Sequence, residues 1–301
     1  MFRQLFSFVA LCTISAVAVG ADLEVTLRWQ AARDSGQFAQ MQREEVWQAN
    51  RTAVIVCDMW DAHHCYRAVQ REGQMVPRME LLLSKMRDQG VTIIHSPSSC
   101  VDAYADHPAR KRVADVPKSK PPEGINSWCK SIPAEESAKY PIDQSDGGED
   151  DTPEEHAAWA AKLAAKGLNP KAPWKKQHEG LTIDGDQDFI SDRGDEVWSI
   201  LQSKQIQNVV LVGVHTNMCV LGRPFGLRQL SKNGVNAVLM RDMTDSMYNP
   251  KAWPHVSHNE GTQLIIEHIE KYVCPTITSD QILGGEPFQF RPLEEAKADP
   301  S

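Results

Sequence analysis

Three short polar clusters hold residue types able to do chemistry, and each follows an apolar run. Asp58 heads Asp58-Met59-Trp60-Asp61-Ala62-His63-His64-Cys65; His95 and Ser96 close a second run; His215-Thr216-Asn217-Met218-Cys219 follows a later one. A cysteine where a strand enters a helix feels the positive end of the helix dipole, which favours the thiolate. It also lies beside backbone N–H groups that can hold an oxyanion. A carboxylate at a neighbouring strand end can take the thiol proton and later activate water. The plainer readings are a small buried hydrophobe for Cys219 and a loop-capping carboxylate for Asp58. Taken together, the two residues form a candidate nucleophile and base.

The elements that must position them are legible in the apolar pattern. Thr52–Cys57 (TAVIVC), Val91–His95 (VTIIH), Asn208–Val214 (NVVLVGV) and Asn236–Met240 (NAVLM) are continuous apolar, β-branched runs, the mark of strands buried on both faces. Val76–Gln89 sets Val76, Met79, Leu82, Leu83 and Met86 on one helical stripe ended by Gly90. Helices are also expected over Asp195–Lys204, through Leu227 and Leu230 to Gly234, and over Thr262–Tyr272, with a last short strand at Thr276–Thr278. This alternation predicts an α/β fold: an open, mostly parallel sheet with helices on both faces, binding its ligands at the carboxyl ends of the strands. From about 116 to 180 the pattern dissolves into prolines, an acidic run over Asp143–Glu155 and an Ala-rich helix near His156–Lys166. That stretch reads as an insertion packed on the core, its acidic part disordered.

The strand ending in Asp (TAVIVCDMWD), with the later Gly213-Val214-His215-Thr216-Asn217-Met218-Cys219-Val220, resembles the isochorismatase-like cysteine hydrolases. That superfamily includes nicotinamidases and other small-amide hydrolases. The resemblance covers roughly Thr52–His95 and Ile183–Asp245. It implies a six-stranded parallel sheet in a three-layer, Rossmann-like sandwich and an Asp–Lys–Cys triad, onto which Asp58 and Cys219 fall position for position. It also implies a cis peptide at Val214–His215. The sequence departs at the lysine: the corresponding stretch, Ile183–Phe189, contains none, and Lys175 and Lys176 lie upstream, Lys176 being the candidate for the third position. Substrate and oxyanion contacts are expected from His215, Thr216, Asn217, His64, Trp60 and Arg223. Arg223 is one turn past Cys219, placed either to bind a substrate carboxylate or to pair with Asp242 or Asp245.

No metal or other cofactor is required by this reading. The metal-binding branch of the superfamily has Asp-x-His after its second strand, where this chain reads His95-Ser96-Pro97-Ser98-Ser99-Cys100. A divalent metal would need a differently built site from Asp61, His63 and His64, with His95 or His107 nearby.

The whole chain sets the outer bounds. Its 301 residues, 41% hydrophobic, suffice for one large domain, and a net charge of -8 excludes the basic stripe of a nucleic-acid surface. Arg3, the apolar run Leu5–Val19 and the small pair Gly20-Ala21 have the layout of a secretory signal peptide, too short to span a bilayer. The expected organisation is a signal at 1–21, one hydrolase domain at 22–285 with its insertion, and a C-terminal tail at 286–301. The mature protein would be exported, free of the membrane, open to homo-oligomer formation and partnered by a small-molecule substrate. Past the signal, Cys57, Cys65, Cys100, Cys129, Cys219 and Cys274 are too few for a disulfide scaffold. The expected function is a cysteine hydrolase cleaving a small amide or related C–N bond. Its rivals are a binding protein that kept the fold without the chemistry, and a metal-dependent hydrolase centred on Asp61, His63 and His64.

Overall fold

The computed structural model describes residues 22–34 and 36–293. The expected signal segment and the end of the tail, 294–301, lie outside the described residues. The strands are β1 (Asp22–Ala32), β2 (Phe38–Gln48), β3 (Thr52–Cys57), β4 (Thr92–Ser96), β5 (Phe189–Ile190), β6 (Asn208–Val214), β7 (Asn236–Asp245) and β8 (Thr276–Ile277). They form one sheet in the order β2-β1-β8-β7-β6-β3-β4-β5. The six strands from β8 to β5 are mutually parallel, as expected. The sheet nevertheless has eight strands, because β1 and β2 form an antiparallel hairpin whose first strand joins β8. Leu23, Val25 and Leu27 are buried on alternate positions of β1, and the polar residues between them kept this half-buried strand out of an argument built on continuous apolar runs.

Helices cover both faces: α1 (Tyr66–Asp88), α2 (Pro108–Asp115), α3 (Pro153–Ala165), α4 (Gly194–Ser203), α5 (Leu227–Lys232), α6 (His258–Tyr272) and α7 (Asp280–Leu283). Period-two alternation splits each central strand between two cores. Val54 and Val56 of β3 pack with Val210, Val212 and the α1 stripe Met75, Val76, Met79, Leu82, Leu83 and Met86. Ala53, Ile55 and Cys57 pack with Val209, Leu211 and residues of α4, α5 and α6. Helix α1 starts ten residues earlier than its stripe suggested and carries Pro77 inside it. Among the described residues, no helix is long and apolar enough to cross a membrane.

Two departures bear on the site. The helix expected from Cys219 to Gly234 is broken: one turn of π-helix over Thr216–Val220 runs on to Gly222, and α5 begins only at Leu227. Pro224 lacks the N–H that a continuous helix needs, so the chain must turn there. The acidic run is ordered rather than disordered, since its carboxylates have partners. Asp150 holds Arg71 of α1 through both oxygens at 2.8 and 2.9 Å, and Asp151 accepts from the first N–H groups of α1, Tyr66 at 2.7 Å and Arg67 at 2.8 Å. Beyond 285 the chain lies back on the domain, where Phe288 and Phe290 pack edge to face at 5.1 Å against the α1-side core.

Candidate active site

Strands β3 and β6 are neighbours, and from them the chain winds outward in opposite directions, through β4 and β5 on one side and β7 and β8 on the other. That is a topological switch point, the crevice where open α/β sheets bind ligands. The register pairs Cys57 with Gly213, so Asp58 and the turn carrying Cys219 leave the sheet side by side despite their separation in sequence. Gly213 makes this approach feasible: its φ is +105°, and a Cβ there would stand 2.0 Å from the Cys57 carbonyl oxygen. The Val214–His215 peptide is cis, as the resemblance implied.

Asp58 is fully buried and sits at φ 48°, in the left-handed region that aspartate tolerates better than most residues. Its Oδ1 accepts from the Ser98 N–H at 2.7 Å, and its Oδ2 accepts from Arg223 Nε at 3.1 Å. The Cys219 thiol lies close enough to act on the same carboxylate, and each of the two groups shifts the other's pKa. Burial pushes the Asp58 pKa above its ordinary value, opposed first by Arg223 and then by the Cys219 and Ser98 hydrogen bonds. The thiol of Cys219 is pushed up as well, by burial and by the Asp58 charge, against the pull of Arg223. This reverses the expectation of a dipole-stabilised thiolate. One short broken turn does not offset desolvation, and the resting group is a thiol.

The cation of the site is Arg223. It is neither free to await a substrate carboxylate nor paired with Asp242 or Asp245; its ion pair is with Asp58. Its guanidinium also lies 4.9 Å from the centre of the Trp128 ring, a cation–π contact supplied by the insertion. Its position four residues past Cys219, on the same side of the turn, was the sequence signal for this role. Lys176 does not fill the third place. It is exposed, and its backbone is what engages the site loop: the Lys175 and Lys176 N–H groups donate to Asp61 Oδ1 at 2.8 and 3.2 Å. Among the described residues neither lysine makes an ion pair with Asp58.

The other expected contacts divide by role. Trp60 belongs to the same apolar core as Cys219, Cys100 and Cys129, with Trp174 stacked on it at 4.7 Å and its Nε1–H donating to the Ser98 carbonyl. The side chains of Thr216 and Asn217 are spent on structure. Thr216 bonds the Thr244 hydroxyl at 2.7 Å, while Asn217 donates to the Met247 carbonyl and accepts from its N–H at 2.8 and 2.9 Å. They clamp the turn to the end of β7. His215 is buried with both ring nitrogens unpartnered, edge-on to His63 at 4.9 Å. Its pKa falls to about 4 because burial disfavours the cation; the charges acting on it are Asp245, Arg71, His64 and His258. His63 and His64 are lowered too, chiefly by burial.

Asp61, His63 and His64 do not converge on a metal position. Asp61 Oδ1 accepts from the backbone N–H groups of Lys175 and Lys176, His63 Nδ1 accepts from the Cys65 N–H at 3.2 Å, and the three residues do not figure among the groups whose ligand atoms cluster closely enough to share an ion among the described residues. The acid and imidazole groups close enough to share an ion among the described residues are Cys65 with Asp150 and Asp151, and Glu149 with Asp151 and His156. Asp150 and Asp151 in these sets already serve Arg71 and the start of α1. The six cysteines of the described residues are all buried free thiols.

No family sequence model matches the chain, and no curated protein matches it. Among solved structures, it is similar to a cysteine hydrolase from Pseudomonas syringae pv. phaseolicola 1448A at 16% identity, over 79% of this chain and 92% of that one, with a TM-score of 0.47. It is also similar to an isochorismatase family protein from Burkholderia thailandensis (14% identity, 77% and 93% covered, TM-score 0.42) and to N-carbamoylsarcosine amidase from Thermoplasma acidophilum (9%, 64% and 83%, TM-score 0.35).

Proposed function

We propose that this protein is an isochorismatase-like cysteine hydrolase that cleaves a small-molecule amide or related C–N bond, exported by way of its N-terminal segment. The reading rests on one observation: a buried carboxylate, Asp58, held between the Cys219 thiol and the Arg223 guanidinium at the switch point of the sheet. Asp58 accepts the thiol proton as sulfur attacks the carbonyl carbon, so no free thiolate is needed beforehand. The oxyanion forms beside the backbone N–H groups of the His215–Cys219 turn. Its collapse breaks the C–N bond, and the proton on Asp58 leaves with the amine. Water then attacks the thioacyl carbon while Asp58 takes its proton; the acid departs and the proton returns to sulfur. Arg223 holds the Asp58 pKa down against burial and stands as the cation where the resemblance implied a lysine.

The test is a screen of small amides, ureides and carbamates for ammonia release, with a thiol-directed inhibitor and the Cys219→Ala and Cys219→Ser variants as controls. Both variants should fold and lose turnover, by about a thousandfold or more, the scale of a removed nucleophile. Turnover retained by Cys219→Ala would sink the mechanism. Ligand binding without turnover in the wild-type protein would favour the binding-protein reading.

A further inference from the structure

Away from Cys219, β7 carries a bulge that aims a second arginine into a cavity. Leu239 of β7 pairs with Leu211 of β6, and Thr244 with Gly213, so the stretch Met240–Met243 stands opposite Val212 alone and the register shifts there. Such bulges re-aim side chains. Here Arg241 turns into a cavity of about 420 Å³ lined by Arg28, Thr244, Thr262, Gln263, Phe288 and Phe290, among others. The volume lies in the range of small-ligand sites.

The guanidinium of Arg241 makes one hydrogen bond, from Nη1 to the Thr276 hydroxyl at 3.2 Å, and among the described residues no carboxylate lies within ion-pair distance of it. Of the nearby acids, Glu270 and Asp242, the latter itself part of the lining, are engaged elsewhere, while Asp280 keeps Oδ1 unpartnered but makes no ion pair with Arg241. Glu270 pairs with Arg28 at 2.7 Å and accepts from the Thr276 hydroxyl. Asp242 accepts from the Ser279 N–H and hydroxyl and from the Phe288 N–H, which pins the tail as the cavity's aromatic wall. Burial and the adjacent Arg28 lower the Arg241 pKa, and the charges of Glu270, Asp242 and Asp280 do not offset them. A half-buried guanidinium left this way has donors to spare for an anion.

We infer that this cavity binds a small organic carboxylate, its anionic end on Arg241 and its flat or branched apolar body against Phe288 and Phe290. Its lining includes none of Cys219, Asp58 and Arg223, and the assignment does not depend on the proposed hydrolysis. The probe is benzoate, titrated calorimetrically into the full chain with benzyl alcohol as the uncharged comparison. Benzoate should bind saturably and benzyl alcohol should not. Arg241→Gln should weaken benzoate by about tenfold or more, the scale of a lost charge-assisted pair. Gln263→Trp, a surface change that fills the cavity mouth without touching Arg241, should weaken it likewise and carries the test if Arg241→Gln fails to fold. Cys219→Ala should bind like the wild type. Undiminished binding in the folded variants, equal binding of benzyl alcohol, loss of binding in Cys219→Ala, or no saturation with the wild type would each overturn the assignment.

Discussion

Replacing Arg223 with Met leaves Asp58 buried without its cation, and the structure sets the size of the effect. The guanidinium Nε stands 3.1 Å from Asp58 Oδ2, with the carboxylate fully buried and the arginine side chain 19% exposed. Charge centres about 4 Å apart interact by about 4 kcal/mol at an effective dielectric of about 20. Halving that for the solvent-facing part of the arginine leaves about 2 kcal/mol, or about thirtyfold in the acid dissociation constant of the base. The sign follows from the charges. Burial already raises the Asp58 pKa and Arg223 is the largest influence holding it down, so its removal moves the pKa further up. Once a substrate has been found, kcat/KM for ammonia release should be measured against pH for wild type, Arg223→Lys and Arg223→Met. The acid limb should move up by about 1.5 pH units in Arg223→Met, with kcat/KM on that limb down by as much as about thirtyfold and recovering as the pH rises. Arg223→Lys should fall between. A loss of activity that is the same at every pH, with the limb unmoved, would refute the role of Arg223 in keeping Asp58 ionised.

Two further outcomes follow from packing and burial. Gly213→Ala should cost about 3 kcal/mol or more in urea unfolding, because the new Cβ meets the Cys57 carbonyl oxygen at 2.0 Å in a backbone conformation that disfavours L residues. Unchanged stability would show that β3 and β6 are not held so closely. Glu72 of α1 is buried with Oε1 unpartnered, and its pKa is raised well above the usual range by burial and by Asp61, Asp245 and Asp58. The folded state therefore keeps a proton that the unfolded chain releases, so Glu72 becomes increasingly unfavourable to folding as pH rises above the ordinary glutamate pKa. Glu72→Gln should raise Tm near neutral pH, and the gain should shrink toward zero in acid; a gain independent of pH would contradict this.

The central strands β3, β4, β6 and β7 and the place of Cys219 at the end of β6 were legible in the sequence because both depend on local pattern. A continuous β-branched run such as Thr52–Cys57 reads as a strand buried on both faces, and a polar cluster straight after it must emerge at the strand's end. The same logic placed Cys219, and β1 escaped it because alternation is a weaker signal than a continuous run. The partnership of Arg223 with Asp58 was a different matter. Four residues past Cys219 was enough to put the arginine on the right side, but Asp58, Asp242 and Asp245 were all acids it could have met, and only the packing of the turn against β3 selected one. Tertiary structure likewise set Lys176 on the surface, spent the side chains of Thr216 and Asn217 on β7, and turned the acidic run into partners for Arg71 and the start of α1. It also reversed the expected shift of Cys219. A helix terminus is a local feature, visible in the chain, whereas desolvation depends on everything packed around the sulfur, and here desolvation is the larger effect.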